Sequence, residues 1–181
     1  MKIALIAYLF TASALAQGQQ AFIPRVCGSG NVNFKVKLNN GPQPAVQPEP
    51  GKALVYFIHD AGTDVQFAYP TTKMAIDGAW VGANHGNSYF SISVDPGEHH
   101  LCTALQSSIV EDRSEFAHFT ANAGKVYYYR TRLVMSRAEE LLELDAIDSD
   151  QGNYLIASYP LSVPRAVSGP KFRNTGPRDT R

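Results

Sequence analysis

The amino-acid sequence predicts an all-β protein: an antiparallel β-sandwich of about seven strands, with a short C-terminal helix and a disordered tail. Three observations carry this expectation. Short runs rich in β-branched and aromatic residues recur through the middle of the chain, at 53–59, 79–81, 89–94 and 125–133, and such residues suit a pleated, half-buried surface. Turn chemistry separates the runs: Asp77-Gly78, Asn84-His85-Gly86-Asn87, Asp95-Pro96-Gly97 and Asn122-Ala123-Gly124. No sustained helical or heptad pattern lies between them, which argues against alternating strand–helix–strand units.

The chain opens on a targeting segment. Met1-Lys2 is a short positive start, Ile3 to Leu15 is apolar, and Ala14-Leu15-Ala16 fits a small-x-small cleavage pattern before polar Gln17-Gly18-Gln19-Gln20. Residues 1–16 therefore read as a signal peptide cleaved near Ala16. The apolar run is shorter than the roughly 20 residues that span a bilayer, and no later segment qualifies as transmembrane. No cysteine follows the cleavage site to carry a lipid anchor. The expected location is periplasmic or secreted.

Residues 17–50 read as an N-terminal strand and a connector. Asn33 to Leu38 alternates polar and apolar residues, as a half-buried strand does. Asn39-Asn40-Gly41 marks a turn, and Pro42, Pro44, Pro48 and Pro50 favour an extended surface path. The main domain is expected over residues 51–147. Its first run, Ala53 to His59, is continuously apolar and aromatic up to the histidine, as in a central strand buried on both faces.

Asp77-Gly78 lies between two short runs and is a strong hairpin signal. Asp95-Pro96-Gly97-Glu98 reads as a second hairpin turn. Proline presets φ, and glycine accepts the positive φ of a type II turn. A polar loop is expected from Gln106 to Ser114, then strands at 116–121, 125–133 and 141–147. Asp148-Ser149-Asp150 can cap a helix reaching about Ser158, so 148–163 is read as a helix packed on the domain. Residues 164–181 hold Arg165, Lys171, Arg173, Arg178 and Arg181 among prolines and glycines, and read as a disordered basic tail.

Composition narrows the function. Apolar residues make up 44% of the 181, enough for one packed core, and the formal net charge is zero. That balance gives no electrostatic footprint for nucleic acid. Export favours a disulfide between the two cysteines, Cys27 and Cys102. A crosslink closing so long a loop contributes about 4–5 kcal/mol before strain. The alternative is two free thiols, with Cys102 a small core residue.

Glu98-His99-His100-Leu101-Cys102 brings metal-binding and nucleophilic residue types together. Zinc needs three or four converging ligands, whereas adjacent histidines on a strand point to opposite faces. His100 and Cys102 share a face but sit about 7 Å apart, too far for a catalytic hydrogen bond. The sequence contains no HExxH, CxxC or GxSxG pattern. No catalytic residue, metal or cofactor is assigned. Tyr127, Tyr128 and Tyr129, with Tyr56, Phe57, Trp80, Tyr89 and Phe90, read mainly as core with hydroxyls at its rim. Tyr128, Arg130 and Arg132 fall on one face of their strand, and an exposed Tyr–Arg patch there is the candidate binding surface.

A family resemblance appears at Gly51-Lys52-Ala53-Leu54-Val55-Tyr56-Phe57. It continues through Ile76-Asp77-Gly78-Ala79-Trp80-Val81-Gly82, Asn87-Ser88-Tyr89-Phe90, Val94-Asp95-Pro96-Gly97-Glu98-His99 and Ala123-Gly124-Lys125-Val126-Tyr127-Tyr128. These pieces resemble the bacterial domain of unknown function 2846. The Asp-Gly and Pro-Gly-Glu-His pieces are also similar to PEGA-type β domains. The resemblance implies a small immunoglobulin-like sandwich over about residues 51–147, exported and found near the envelope, with Pro-Gly-Glu-His at a hairpin turn. It brings no catalytic residues. The expected function is thus a non-enzymatic, envelope-associated interaction module whose partner is an envelope protein or glycan. The rival expectation is a metal-dependent or hydrolytic envelope enzyme using His59, His85, His99 or His118.

Overall fold

The computed structural model describes residues 27–28, 32–43, 46–61, 70–106, 114–135 and 140–168. The segment expected to be a signal peptide, most of the loop after Gln106, and residues 169–181 of the expected tail lie outside the described residues. The described chain forms strands β1 (Val32–Asn39), β2 (Ala53–His59), β3 (Thr71–Ile76), β4 (Ala79–His85), β5 (Ser88–Val94) and β6 (Gly97–Leu105). There follow β7 (Ser114–Ala121), β8 (Val126–Met135), β9 (Glu140–Ile147), helix α1 (Ser149–Ser158) and β10 (Leu161–Ser168). Two sheets result, one of six strands in the order β1-β10-β5-β2-β8-β9, the other of four in the order β4-β3-β6-β7. The all-β sandwich with one short helix is as expected, but it holds ten strands among the described residues rather than about seven.

All seven residues of β2 are buried, which fits its unbroken apolar run and its place inside the larger sheet. Its inward side chains, Val55 and Phe57, meet Met74, Leu101 and Tyr129 in the core between the sheets. Its outward side chains, Leu54, Tyr56 and Ile58, form a second cluster with Tyr89 and Leu155. A strand alternates its side chains between two faces, so both faces of β2 need cover. Leu155 shows that α1 supplies part of the outer one.

The strand pairing departs from the antiparallel expectation. β2 pairs antiparallel with β5, from Ala53↔Val94 to His59↔Ser88, but parallel with β8, from Leu54↔Val126 to His59↔Thr131. The chain leaves β2, builds the four-stranded sheet, and returns to β2's other side. Such a long return is a crossover, and crossovers can bring strands in parallel.

The same back-and-forth corrects the reading of Pro96 and Gly97. Asp77-Gly78 is a true hairpin turn joining paired β3 and β4; φ is 49° at Asp77 and 79° at Gly78, as a type I′ turn requires. Asp95-Pro96-Gly97, by contrast, joins β5 to β6, which lie in different sheets. It is an arch over the edge of the core, not a hairpin. Gly97 has φ 142°, away from the roughly +80° of a type II turn. The Asp95 carbonyl bonds the His99 ring instead of closing a turn.

The expected tail boundary at residue 164 also gives way. β10 pairs antiparallel with β1 along its whole length, from Leu161↔Asn39 to Ser168↔Val32. Composition missed this because the pairing lies in the backbone and the partner is far away in sequence. Cys27 and Cys102 form a disulfide, with Cα atoms 5.1 Å apart and 75 positions between them in sequence. It ties the segment before β1 to β6 in the opposite sheet. Gln106 adds a clamp: its side chain accepts from Phe34 N–H at 2.6 Å and donates to Phe34 O at 2.9 Å. Replacing both cysteines by alanine is expected to cost about 2–5 kcal/mol. A urea melt that stays unchanged would contradict this.

Candidate functional site

The outer face of the six-stranded sheet is aromatic because β2, β5 and β8 place Tyr56, Tyr89 and Tyr128 there. Tyr56 stacks on Tyr128 with ring centroids 5.3 Å apart, and Tyr89 tilts against Tyr56 at 6.0 Å. α1 packs over them. Asp148 caps the helix, its carboxylate accepting from Gln151 N–H at 2.8 Å. Gly152 lies so close to the Tyr128 ring that a side chain there would overlap it. The Tyr128 hydroxyl donates to Asn153 Oδ1 at 2.9 Å.

The helix covers only part of this face. A cleft of about 920 Å³ opens between it, the connector after β1, and the sheet. Tyr56, Tyr89 and Ser91 form the floor. One wall is the connector, with Asn40, Pro42, Gln43 and Val46, and the other runs from Asn153 of α1 to Leu161 of β10. None of the described lining residues carries a charge. The connector is shaped locally: Gly41 N–H donates to Asn39 Oδ1 at 3.1 Å, and Gln43 Nε2 donates to Gly41 O at 2.8 Å.

The cleft tyrosines keep their protons. Burial raises the Tyr56 hydroxyl above its ordinary value, helped by Tyr128 and Tyr89 and opposed by the Val46 backbone. Burial raises Tyr89 as well. Tyr159 is raised by burial and by its own bond to Asp60 Oδ1 at 2.8 Å. The cleft therefore presents neutral hydroxyls, amides and apolar surface.

Tyr128, Arg130 and Arg132 do share one face of β8, but they do not form an open patch. β9 places Asp145 directly opposite Arg130 and Glu143 opposite Arg132. The Arg130 side chain is only 14% exposed, 3.6 Å from Asp145 and 4.0 Å from Asp60. Arg132 lies 2.7 Å from Glu143 and 3.5 Å from Asp145. None of the three lines the cleft, although Tyr128 holds Asn153, which does.

The histidines are dispersed. His99 makes two bonds, from Nδ1 to Asp77 Oδ2 at 2.7 Å and from Nε2 to the Asp95 carbonyl at 2.8 Å. Both partners only accept, so both bonds together require the doubly protonated ring. Burial alone would lower the His99 pKa; the Asp95 carbonyl, the Asp77 bond and both carboxylate charges more than offset it, and the value is raised. Burial likewise works against the Asp77 carboxylate, but the His100 N–H at 2.8 Å and the His99 ring hold it below its ordinary value. His99 thus ties the β3–β4 hairpin to the β5–β6 arch. His85 bonds Thr71 at 3.0 Å, and exposed His118 sits across from His100. Among the described residues no group of three His, Cys, Asp or Glu side chains could hold a metal ion.

His59, at the end of β2, is fully buried. Burial pushes its pKa down to about 4, with the Asp60 charge opposing and His85 adding to the shift.

The sequence reading passed over Ser91, Gln43 and Asn153, which line the cleft. Their chemistry is ordinary, and only contacts across long stretches of chain bring them together. Asn39-Asn40-Gly41 was the available signal, since a turn there aims the connector across the sheet.

The molecule is thus a two-sheet β-sandwich whose outer face is flanked by elements from both ends of the chain. A family model described as protein of unknown function (DUF2846) matches residues 49–143, just over half of the chain, and the chain belongs to that family. The match contains the cleft floor, whereas both walls lie outside it. No curated protein and no solved structure matches the chain.

Two outcomes follow for stability. Gly152→Val should lift α1 off Tyr128 at a cost of about 1–3 kcal/mol, with a change in near-ultraviolet tyrosine dichroism; an unaltered melt and spectrum would contradict the packing. Acid should also weaken the fold through His59. The unfolded ring takes a proton near 6.5 and the folded ring only near 4. Stability is therefore lost as pH falls through that window, by up to roughly 3 kcal/mol. His99 has the opposite sign: its bonds contribute fully below 6.5 and are lost as pH rises through its raised value. Between about pH 7 and pH 4.5 the native protein should lose more stability than His59→Leu. Equal losses in urea titrations would contradict this.

Proposed function

We propose that the protein is an exported, non-catalytic β-sandwich module that binds a partner in the bacterial cell envelope through the outer cleft. The observation that carries this reading is the cleft, about 920 Å³ in volume and, among the described residues, lined without a charged side chain. That volume falls within the roughly 300–1,000 Å³ of ligand sites. Its tyrosines are held protonated, so it offers hydrogen bonds and apolar contact but no group poised to exchange a proton near neutral pH. Such a lining suits holding a ligand. The disulfide suits an oxidising compartment, and no helix among the described residues is long and apolar enough to cross a membrane.

Site-specific photo-crosslinking in bacterial cells tests the proposal. A benzophenone side chain at Ser158, in the cleft wall, should yield a discrete crosslinked product that Ala157→Trp, which fills the cleft, abolishes. The same group at Phe116, exposed on the other sheet, should not give that product. Identical products from both positions, or none from Ser158, would overturn the reading.

A further inference from the structure

The cleft floor contains an interrupted strand ladder. β10 pairs with β5 at one position, Leu161↔Tyr89, in parallel. There the Tyr89 N–H donates to Pro160 O at 3.1 Å, away from β2. Backbone groups alternate in direction along a strand. The N–H and C=O of Ser91 and Ser93 therefore point to the same side as those of Tyr89, while Phe90 and Ile92 face Phe57 and Val55 of β2.

β10 does not follow β5 past Tyr89. Parallel pairing at Leu161 uses the backbone of its two neighbours, Pro160 and Ser162. The next N–H on that side would belong to residue 164, which is a proline and has none. β10 instead stays with β1 through Ser168 and packs against β4. Among the described residues, neither Ser91 nor Ser93 forms a bridge with β10, and Pro164 offers the Ser91 carbonyl no N–H to continue the ladder. Ser91 lines the cleft. A free strand edge is ordinarily a hazard that proteins cover or charge. Here Ser91 lies in the cleft, whose described lining is uncharged.

We propose that the cleft receives an extended, uncharged peptide segment, which adds as a strand to the open edge of β5 at Ser91 and Ser93. This rests on the reading of the cleft as the binding site and names what it takes. Main-chain bonds to the two serines supply affinity, and the contacts of alternate side chains with the walls supply selectivity. A charged side chain within the segment would lose its hydration against a described lining with no countercharge. Both walls lie outside the family match, so selectivity comes from segments that the family model does not cover.

The test selects a phage-displayed library of random dodecapeptides against the intact disulfide-bonded protein and measures the winners as capped synthetic peptides. Binders should lack charge over their central residues and shift the Ser91 and Ser93 amide resonances. Ser91→Pro removes an edge N–H that β2 does not use, and should weaken binding by about three- to tenfold, the value of one backbone hydrogen bond. If that variant proves unfolded by circular dichroism, N-methylation of the peptide at alternate residues replaces it. Methylation in one phase should abolish binding, and in the other phase leave it intact. Binding that ignores both changes, or binders rich in charge, overturns the proposal. If the tetramer of N-acetylglucosamine shifts the Asn153 and Ser158 resonances and no peptide does, the cleft is still a binding site but the strand-addition proposal fails. If neither probe acts at the cleft and the Ser158 crosslink is absent, both readings fail.

Discussion

The structure is organised by the need to cover β2 on both faces. Ala53 to His59 is buried throughout, and each large apolar side chain in it contributes about 1.5–3 kcal/mol when withdrawn from water. The four-stranded sheet covers one face. The other cannot be left wet, because Leu54, Tyr56 and Ile58 point into it with Tyr89 beside them. The helix after β9 meets that need through Leu155, and the connector after β1 reaches the same face. The cleft is what remains where these two covers do not meet.

The second organising feature is the repeated passage of the chain between sheets. β2, β5, β8 and β9 belong to one sheet, β3, β4, β6 and β7 to the other, so several connections are arches over the core. Arches lack the ladder that holds a hairpin in register and need other ties. His99, bonded to Asp77 and to the Asp95 carbonyl, is one. The disulfide from Cys27 to Cys102 and the clamp of Gln106 on Phe34 are two more. The cluster Glu98-His99-His100-Leu101-Cys102 therefore serves architecture: one histidine braces an arch and the cysteine anchors the N-terminal segment.

Much of this was legible in the sequence where the cause is local. The apolar run of β2, the Asp77-Gly78 turn and the capping aspartate of α1 each follow from neighbouring residues. The cysteine pair was legible from the expectation of export. Pro96-Gly97 was misread because a turn signal reports that the chain bends, not whether the strands on either side then pair. Arg130 and Arg132 were misread because their partners, Asp145 and Glu143, come from the register of β9, which no spacing within β8 encodes. β10 was hidden by a composition that resembles a tail, and the cleft by its assembly from three distant segments.

The bridging of β10 to β5 ends at Leu161↔Tyr89, and the connector and α1 flank the cleft that Ser91 lines beyond that point. The account's central claim is that β2 is sealed on both faces while its neighbour β5, beyond Tyr89, is bridged on the β2 side alone. Amide hydrogen exchange on the unliganded protein, followed by nuclear magnetic resonance, tests it most directly. The account predicts that the β2 amides exchange only with global unfolding, as do Phe90 and Ile92, while Ser91 and Ser93 exchange at least ~100-fold faster. Uniform protection along β5, or fast exchange within β2, would contradict it.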